Sequence, residues 1–264
     1  MSIRLDKLDK LANYKNPPLF EVVLGVRFEL WKDWKAPHSG LFWNKIYQDF
    51  PNCQHASPVA PINTDESGLP FPRIWLINKS DDRLIQLQPD RFLFNWRNTG
   101  FNENYPHFKD LWSNFLHYFN LYIEFCEEYN FGTPNILEFE LTYINHIYDA
   151  DRWNFPHEFD GALRGMVWSD KSESFLPRPD EINWQAKFSL PKSYGSLSVK
   201  MNPGTRRSDG RKLLVLELTA KGQPPETPLE SLEDWFGTAH EWIVHGFEDL
   251  TTDTAQTDVW GKNV

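Results

Sequence analysis

The sequence predicts an α+β fold, in which antiparallel strands form one or two curved sheets that carry two long helices on one face. Short segments alternate apolar and polar residues, which predicts strands with one buried face, because successive side chains of a strand point to opposite sides. Two long segments place apolar residues three and four positions apart, as amphipathic helices do. These elements follow the same order in both halves of the chain, which indicates an internal duplication.

The first half, residues 1–132, begins with the alternating strand Phe20–Leu30. A short helix is predicted at Leu41–Phe50, and the proline-rich residues 51–72 are predicted to form a loop. An Asp-Asp turn and a Pro-Asp turn then separate three further strands. These strands are Arg73–Asn78, Leu84–Gln88 and Arg91–Arg97, and the apolar periodicity of Pro106–Glu128 predicts the long helix that ends this half.

The second half, residues 133–264, repeats this order. Its predicted elements are the strand Leu137–Ile147, a short helical stretch near Phe155–Arg164, the strands Asn183–Leu190, Gly195–Met201 and Leu213–Ala220, and the long helix Leu229–Leu250. Adding one constant to the residue numbers of the first half places Val22 on Phe139, and the inward-facing positions of the two halves then coincide. The sequence thus predicts two pseudo-repeated β-α-β-β-β-α halves in one compact unit. This order resembles the TATA-binding-protein-like class, an analogy of fold that carries no function.

The charge and cysteine content exclude several classes of protein. The chain of 264 residues has a formal net charge of −10 and two cysteines, Cys53 and Cys126. A strongly acidic chain repels phosphate backbones, so nucleic-acid partners are not expected. The cysteine spacing matches no metal or redox motif. The N-terminal residues lack an apolar signal segment and no apolar run could span a membrane, so we expect a cytoplasmic protein without a membrane partner.

A local basic cluster interrupts this acidic character. Arg206, Arg207, Arg211 and Lys212 fall inside a predicted hairpin turn. The cluster allows two interpretations, a basic stripe that binds nucleic acid or a solvated loop. Since charged residues at turns are usually solvated, the sequence favours the loop.

No segment matches a known catalytic or metal-binding motif. The segment from His240 to His245 is similar to the HExxH motif of zinc proteases, but that motif needs its histidines four positions apart on one helical face. Here they are five apart, which separates them by roughly 140° around a helix. The sequence therefore predicts no metal, no cofactor and no catalytic residue, and it favours a protein that is not an enzyme.

Polar residues at alternate strand positions should share the sheet face away from the helices. In an antiparallel sheet that face is commonly solvated, which is the simpler interpretation. The alternative is a binding face, favoured by the fixed hydrogen-bonding patterns of Gln, Asn and Arg in the run QLQPDRFLFNWR. The candidate binding residues are Arg27, Gln86, Gln88, Arg91, Asn95, Arg97, Glu138, Glu140 and Glu217. If both halves share one sheet, we expect Gln88, Arg91, Asn95 and Arg97 to lie close to Glu138, Glu140 or Glu217.

Three segments together resemble a sporadically distributed bacterial family of proteins of similar length without an assigned activity. They are NPPLFEVVLGVRFE (Asn16–Glu29), LIQLQPDRFLFNWR (Leu84–Arg97) and AHEWIVHGFEDLTTDTAQTDVWGK (Ala239–Lys262). They occur in the family's order and extend over nearly the whole chain. The resemblance implies patchy occurrence among bacteria, which is typical of mobile or defence-linked genes, and it supplies no catalytic residue.

Two functional hypotheses follow from the sequence. The first is a non-catalytic binding or interaction protein that contacts another protein or a small polar ligand through the polar sheet face or the acidic surface. The second is a small-molecule-binding protein or an enzyme of unrecognised type, with its site between sheet and helices. A filled core with an open polar face would favour the first hypothesis, and a closed, aromatic-lined cavity holding a few converging polar groups would favour the second.

Overall fold

A computed structural model describes residues 11–60, 62–65, 67–100, 105–148, 159–165, 175, 179–224 and 228–263. Over these residues the chain forms nine strands and three α-helices. The strands are β1 (Leu19–Phe28), β2 (Asn52–Ala56), β3 (Arg73–Ile77), β4 (Arg83–Gln88), β5 (Arg91–Arg97), β6 (Ile136–Tyr148), β7 (Trp184–Ser189), β8 (Ser196–Thr205) and β9 (Lys212–Gly222). The helices are α1 (Ala36–Ile46), α2 (Phe108–Glu128) and α3 (Pro228–Leu250). The prediction of an α+β fold with a large antiparallel sheet is confirmed.

All nine strands join in a single sheet with the order β2-β3-β4-β5-β1-β6-β9-β8-β7. The first strand of each half lies at the centre, where β1 and β6 pair antiparallel with Leu24 opposite Leu141. The other strands of each half extend outward from this central pair. Of the two packings that the sequence allowed, one continuous sheet is therefore the one found.

The hydrophobic core lies between one face of this sheet and the long helices. Val22 of β1 and Phe139 of β6, predicted at equivalent inward positions, are both fully buried. Phe139 packs on Trp235 of α3 with ring centroids 5.4 Å apart. On the other side of the sheet centre, Phe92 of β5 packs on Phe119 of α2 at 5.5 Å. Each long helix thus covers the strands of its own half.

The first half differs from the prediction at two elements. Helix α1 begins at Ala36, before the predicted Leu41–Phe50. The prediction started too late because Pro37 and Gly40 are residues typical of loops. Proline is nevertheless tolerated in the first turn of a helix, where its missing N–H would have no partner. Strand β2 lies inside the predicted loop of residues 51–72. It is an exposed edge strand without apolar alternation, and it makes the predicted β-α-β-β-β-α order wrong for this half by one strand.

The corresponding region of the second half lies partly outside the described residues. Of the helical stretch predicted near Phe155–Arg164, residues 159–164 are described, and they form turns rather than a helix. Leu163 makes an isolated β-bridge to Thr251, just beyond α3. None of the helices in the described part of the chain is both long and apolar enough to cross a membrane.

Candidate functional site

The outer face of the sheet, the face away from α2 and α3, is closed over much of the first half. Four of the nine candidate binding residues, Gln86, Gln88, Arg91 and Asn95, are buried there. The loop between β2 and β3 lies against them. The Val59 N–H donates to Gln88 Oε1 at 2.9 Å, and Gln88 Nε2 donates to the Val59 carbonyl at 3.2 Å. The expectation of an open polar face is wrong for this half.

The buried polar residues bond to one another across four neighbouring strands. Trp75 Nε1 on β3 donates to Gln86 Oε1 on β4 at 3.1 Å. Gln86 Nε2 then donates to Asn95 Oδ1 at 2.8 Å, and Asn95 Nδ2 donates to Glu21 Oε1 at 2.6 Å. Burial raises the pKa of Glu21, while the Asn95 hydrogen bond and nearby arginines lower it less strongly. Because buried polar groups need partners, this relay stabilises the fold.

The two arginines of β5 hold turns and loops in place. Arg91 binds both carboxylate oxygens of Asp90, at 3.1 and 3.0 Å, and donates to the Ala60 carbonyl at 3.0 Å. Arg97 binds the Asp81 carboxylate and donates from Nε to the Asp81 carbonyl at 2.8 Å. Both arginines therefore serve as internal struts of the first half.

The predicted proximity of Gln88, Arg91, Asn95 and Arg97 to Glu138, Glu140 or Glu217 is wrong. Strand β1 lies between β5 and β6, which separates the first group from Glu138 and Glu140 on β6 by about 10 Å, twice the spacing of neighbouring strands. Glu217 lies on β9, one strand farther away. The glutamates pair elsewhere. Their partners are Arg27 for Glu138 at 3.7 Å, Lys221 for Glu140 at 2.7 Å and Lys200 for Glu217 at 3.6 Å. These partly exposed pairs form the open part of the outer face.

On the opposite side of the sheet, a cavity of about 430 Å³ lies between the strands and the long helices. Residues 11–14 and 17–19, the start of α2, strands β6 and β9, and helix α3 supply its walls. Its apolar walls include Leu19, Phe108, Leu218, Ile243 and Phe247. The polar side chains that reach it include Tyr14, Tyr105, Tyr143, Asn145 and His240. These converging polar groups fit the second functional hypothesis, while the cavity is partly open to solvent rather than closed.

Three of these polar groups form a relay at one end of the cavity. The Tyr143 hydroxyl lies 2.9 Å from His240 Nδ1 and 3.1 Å from the Tyr105 hydroxyl. Tyr143 and His240 come from the inward faces of β6 and α3, so the packing of the helix on the sheet brings them together. Burial raises the pKa of both tyrosines. Their hydroxyls therefore keep their protons near neutral pH and act as hydrogen-bonding groups.

The environment of His240 keeps its imidazole neutral. The ring stacks on Phe108 with centroids 4.0 Å apart and planes 4° from parallel. Burial lowers its pKa from 6.5 to about 3, and a group titrating so far from neutrality is poorly suited to proton transfer at pH 7. His245, the other histidine of the segment similar to HExxH, is exposed and contacts Glu248 at 3.2 Å. The three side chains of the relay are therefore uncharged near neutral pH and suit the binding of an uncharged ligand group.

The pKa of His240 predicts acid destabilisation. Below pH 6.5 the unfolded chain binds a proton at His240, whereas the folded chain does not bind it until about pH 3. The free energy of unfolding therefore decreases as the pH is lowered through that interval. At about pH 5 we expect a loss of about 2 kcal/mol relative to neutral pH. His240→Gln should lack this component, and urea melts of both proteins at the two pH values measure it.

If the free energies of unfolding of the wild-type protein and His240→Gln differed by the same amount at both pH values, His240 would titrate normally in the folded state. Should the variant fold poorly, the proton resonances of the His240 ring in the wild-type protein give the same answer. They should keep the chemical shifts of a neutral imidazole from neutral pH down to about pH 5.

One wall of the cavity is an N-terminal strap, residues 11–18, held by the C-terminal residues 260–263. The Lys15 N–H donates to the Gly261 carbonyl and the Asn16 N–H donates to the Trp260 carbonyl, each at 3.0 Å. The strap presents Tyr14, whose hydroxyl is buried and has no hydrogen-bond partner among the described residues. Burial also raises the pKa of Tyr14. This hydroxyl adds a second polar group to the cavity wall.

The cavity residues were not among the sequence candidates, although one signal could have identified them. Tyr143 and Asn145 occupy inward positions of β6, and His240 lies on the apolar stripe of α3. Polar residues on a face that must be buried are unusual and need partners. Polar residues on the solvated face, which supplied the sequence candidates, carry no such requirement.

Comparisons of the chain with models of protein families, with curated proteins and with solved structures gave no match. The assignment of a function therefore rests on the geometry of the cavity and of the outer face.

Proposed function

We propose that this protein binds a small, neutral, largely apolar molecule that carries one hydrogen-bonding group, in the cavity between the sheet and the long helices. The observation that carries the proposal is the relay of Tyr105, Tyr143 and His240 at one end of a cavity whose walls are largely apolar. Ligand sites are typically of this kind, with apolar walls and a few polar groups that fix the orientation of the ligand. The volume of about 430 Å³ suits a molecule of one to three rings.

The ligand should be neutral because the groups inside the cavity are neutral. A charged ligand group buried without an opposite charge would be strongly disfavoured. The charged residues that line the cavity, Lys109 and Asp110, lie at the start of α2, where Asp110 is exposed. A hydroxyl or carbonyl group can instead bond to the tyrosine hydroxyls without a change of protonation state. This supports a non-catalytic role.

Calorimetric titration with naphthol and with naphthalene, which lacks the hydroxyl, tests this proposal. We expect saturable binding of one naphthol per chain, with naphthalene at least fivefold weaker, since a net hydrogen bond contributes about 1 kcal/mol. Ile243→Trp should abolish binding of both compounds by filling the cavity. Tyr143→Phe should weaken naphthol binding and leave naphthalene binding nearly unchanged.

Tyr122→Phe is the matched control, since it removes the hydroxyl of a buried tyrosine that packs in the other half of the core. This variant should bind both compounds like the wild type. Naphthol binding that survives Ile243→Trp, or that falls equally in both tyrosine variants, would contradict the proposed site.

We propose a second candidate function, binding of a protein partner at the open part of the outer face. The pairs Arg27–Glu138, Lys221–Glu140 and Lys200–Glu217 support it, because such exposed pairs contribute only about 0–1 kcal/mol to stability and can exchange for contacts with a partner. The combined change Glu140→Ala and Glu217→Ala should abolish a partner complex recovered from the native host without altering the melting temperature. A complex that survives the change would exclude this face.

We further propose that residues 1–132 and 133–264 arose by duplication, and that the chain is a cytoplasmic member of the bacterial family that it resembles. The central β1–β6 pair, flanked by β5 and β9, supports the duplication, as does the burial of Val22 and Phe139 at corresponding positions. The TATA-binding-protein-like analogy rests on the same order of elements.

A further inference from the structure

A second cleft, of about 910 Å³, lies at the end of the sheet where β1 and β9 begin and β6 ends. Besides these strands, residues 98–100 and the β8–β9 hairpin line it. Pro17, Pro18 and Leu19 line both this cleft and the cavity described above. The segment 17–19 therefore separates two spaces of different character.

The cleft gathers positive charge in a chain whose net charge is −10. Arg206, Arg207 and Arg211 of the β8–β9 turn all line it. The guanidinium carbons of Arg206 and Arg211 lie 4.9 and 4.7 Å from the centre of the Tyr148 ring. One tyrosine ring thus holds two like charges beside the cleft, where cation–π attraction offsets part of their repulsion.

The carboxylate of Asp209 balances part of this charge. Arg206 donates from Nε to Asp209 Oδ1 at 2.8 Å and from Nη2 to Asp209 Oδ2, and the Arg211 backbone N–H donates to Oδ1 at 3.1 Å. Asp209 therefore fixes the turn and orients Arg206. The turn is exposed, as expected of a solvated loop, and Asp209 orders it through specific contacts.

Two further residues that line the cleft carry polar atoms without partners among the described residues. Thr99 Oγ1 and His146 Nδ1 are buried without a hydrogen bond to any described residue. The His146 ring stacks on Phe20 with centroids 3.9 Å apart and planes at 12°, which makes a flat aromatic wall. Burial, and then the charge of Arg206, lower the pKa of His146, so its imidazole is uncharged near neutral pH. Thr99 and His146 both line the cleft.

We propose that this cleft binds a small organic oxyanion, a phosphate or carboxylate attached to a planar ring, with Arg211 on the anion, the positive charge of Arg206 nearby and the Phe20–His146 stack beside the ring. Guanidinium groups suit such anions because their planar fork matches two oxygens at once. The proposal does not depend on the function of the first cavity.

The test titrates the full chain with phenyl phosphate, benzoate, inorganic phosphate and phenol by calorimetry. We expect phenyl phosphate or benzoate to bind at least tenfold more tightly than inorganic phosphate, and more weakly as salt is raised. Arg211→Gln should weaken this binding at least tenfold, whereas Lys200→Gln, which removes one positive charge from the same hairpin outside the cleft, should leave it unchanged. The backbone amide resonances of Thr99 and His146 should shift on binding.

Equal weakening by Arg211→Gln and Lys200→Gln would mean that only the net charge matters, and it would overturn the proposal. The proposal would also be overturned if phenol bound to the Tyr143→Phe variant, in which the first cavity is impaired, as tightly as phenyl phosphate does. Tyr143→Phe should not change the affinity for phenyl phosphate, so failure at one site is distinguishable from failure at the other. If Arg211→Gln unfolds the chain, the amide shifts and salt dependence of the wild-type protein decide the question.

Discussion

Replacing Trp235 by alanine should destabilise the protein by about 3–5 kcal/mol, the range found when large buried aromatic side chains are truncated. The indole of Trp235 is fully buried and packs on Phe139 and Phe236, with ring centroids 5.4 and 5.0 Å apart. Its Nε1 donates to the Tyr194 carbonyl at 3.0 Å. The substitution therefore leaves a cavity and also a carbonyl without its donor. Urea denaturation followed by far-UV circular dichroism measures the loss.

Trp242 provides the control on the same helix, because it is only partly buried. Trp242→Ala should cost clearly less than Trp235→Ala. Trp112→Ala in α2 should resemble Trp235→Ala, since the Trp112 ring is buried against Phe236 at 5.3 Å. A change below about 1 kcal/mol for either buried tryptophan would mean that these aromatic residues do not hold helices to sheet.

Arg91→Ala should be comparably damaging, at about 3–5 kcal/mol, because it leaves the buried carboxylate of Asp90 without its partner. The side chains of Arg91 and Asp90 are only 8% and 5% exposed. The change also removes the donor to the Ala60 carbonyl, which holds the loop over the outer face. Chemical denaturation measures the effect on stability. Limited proteolysis should show that the loop between β2 and β3 has become accessible.

The control is Arg27→Ala, which breaks a pair whose side chains are about one third exposed, at 32% and 30%. This change should cost only about 0–1 kcal/mol. Adding Asp90→Asn to Arg91→Ala should recover part of the stability, since the unpaired charge is then removed. If Arg91→Ala cost no more than Arg27→Ala, Arg91 would not be an internal strut, and its role as a surface binding residue would have to be reconsidered.

The fold was largely predictable because its elements follow simple periods. The alternation in β1 and β6 and the apolar stripes of α2 and α3 arise directly from burial of one face. The exposed edge strand β2 has no such alternation, so the sequence gives no sign of it. The start of α1 was missed because its proline and glycine favour loops in most contexts.

The site was not predictable to the same degree, because local pattern does not specify what covers a surface. Alternation correctly placed Gln88, Arg91 and Asn95 on the sheet face away from the helices. Whether that face is open, however, depends on the path of the loop through Val59. Likewise, the relay joins His240 to Tyr143, residues from distant parts of the chain. Long-range contacts of this kind follow from packing rather than from any period in the sequence.

The most direct test of the central claim is a crystal structure of the protein with naphthol. The proposal predicts electron density for the compound between Tyr143 and Ile243, with its hydroxyl within hydrogen-bonding distance of the Tyr105 or Tyr143 hydroxyl. Density at another surface, or an unchanged cavity in crystals grown with saturating naphthol, would contradict the assignment of this cavity as the binding site.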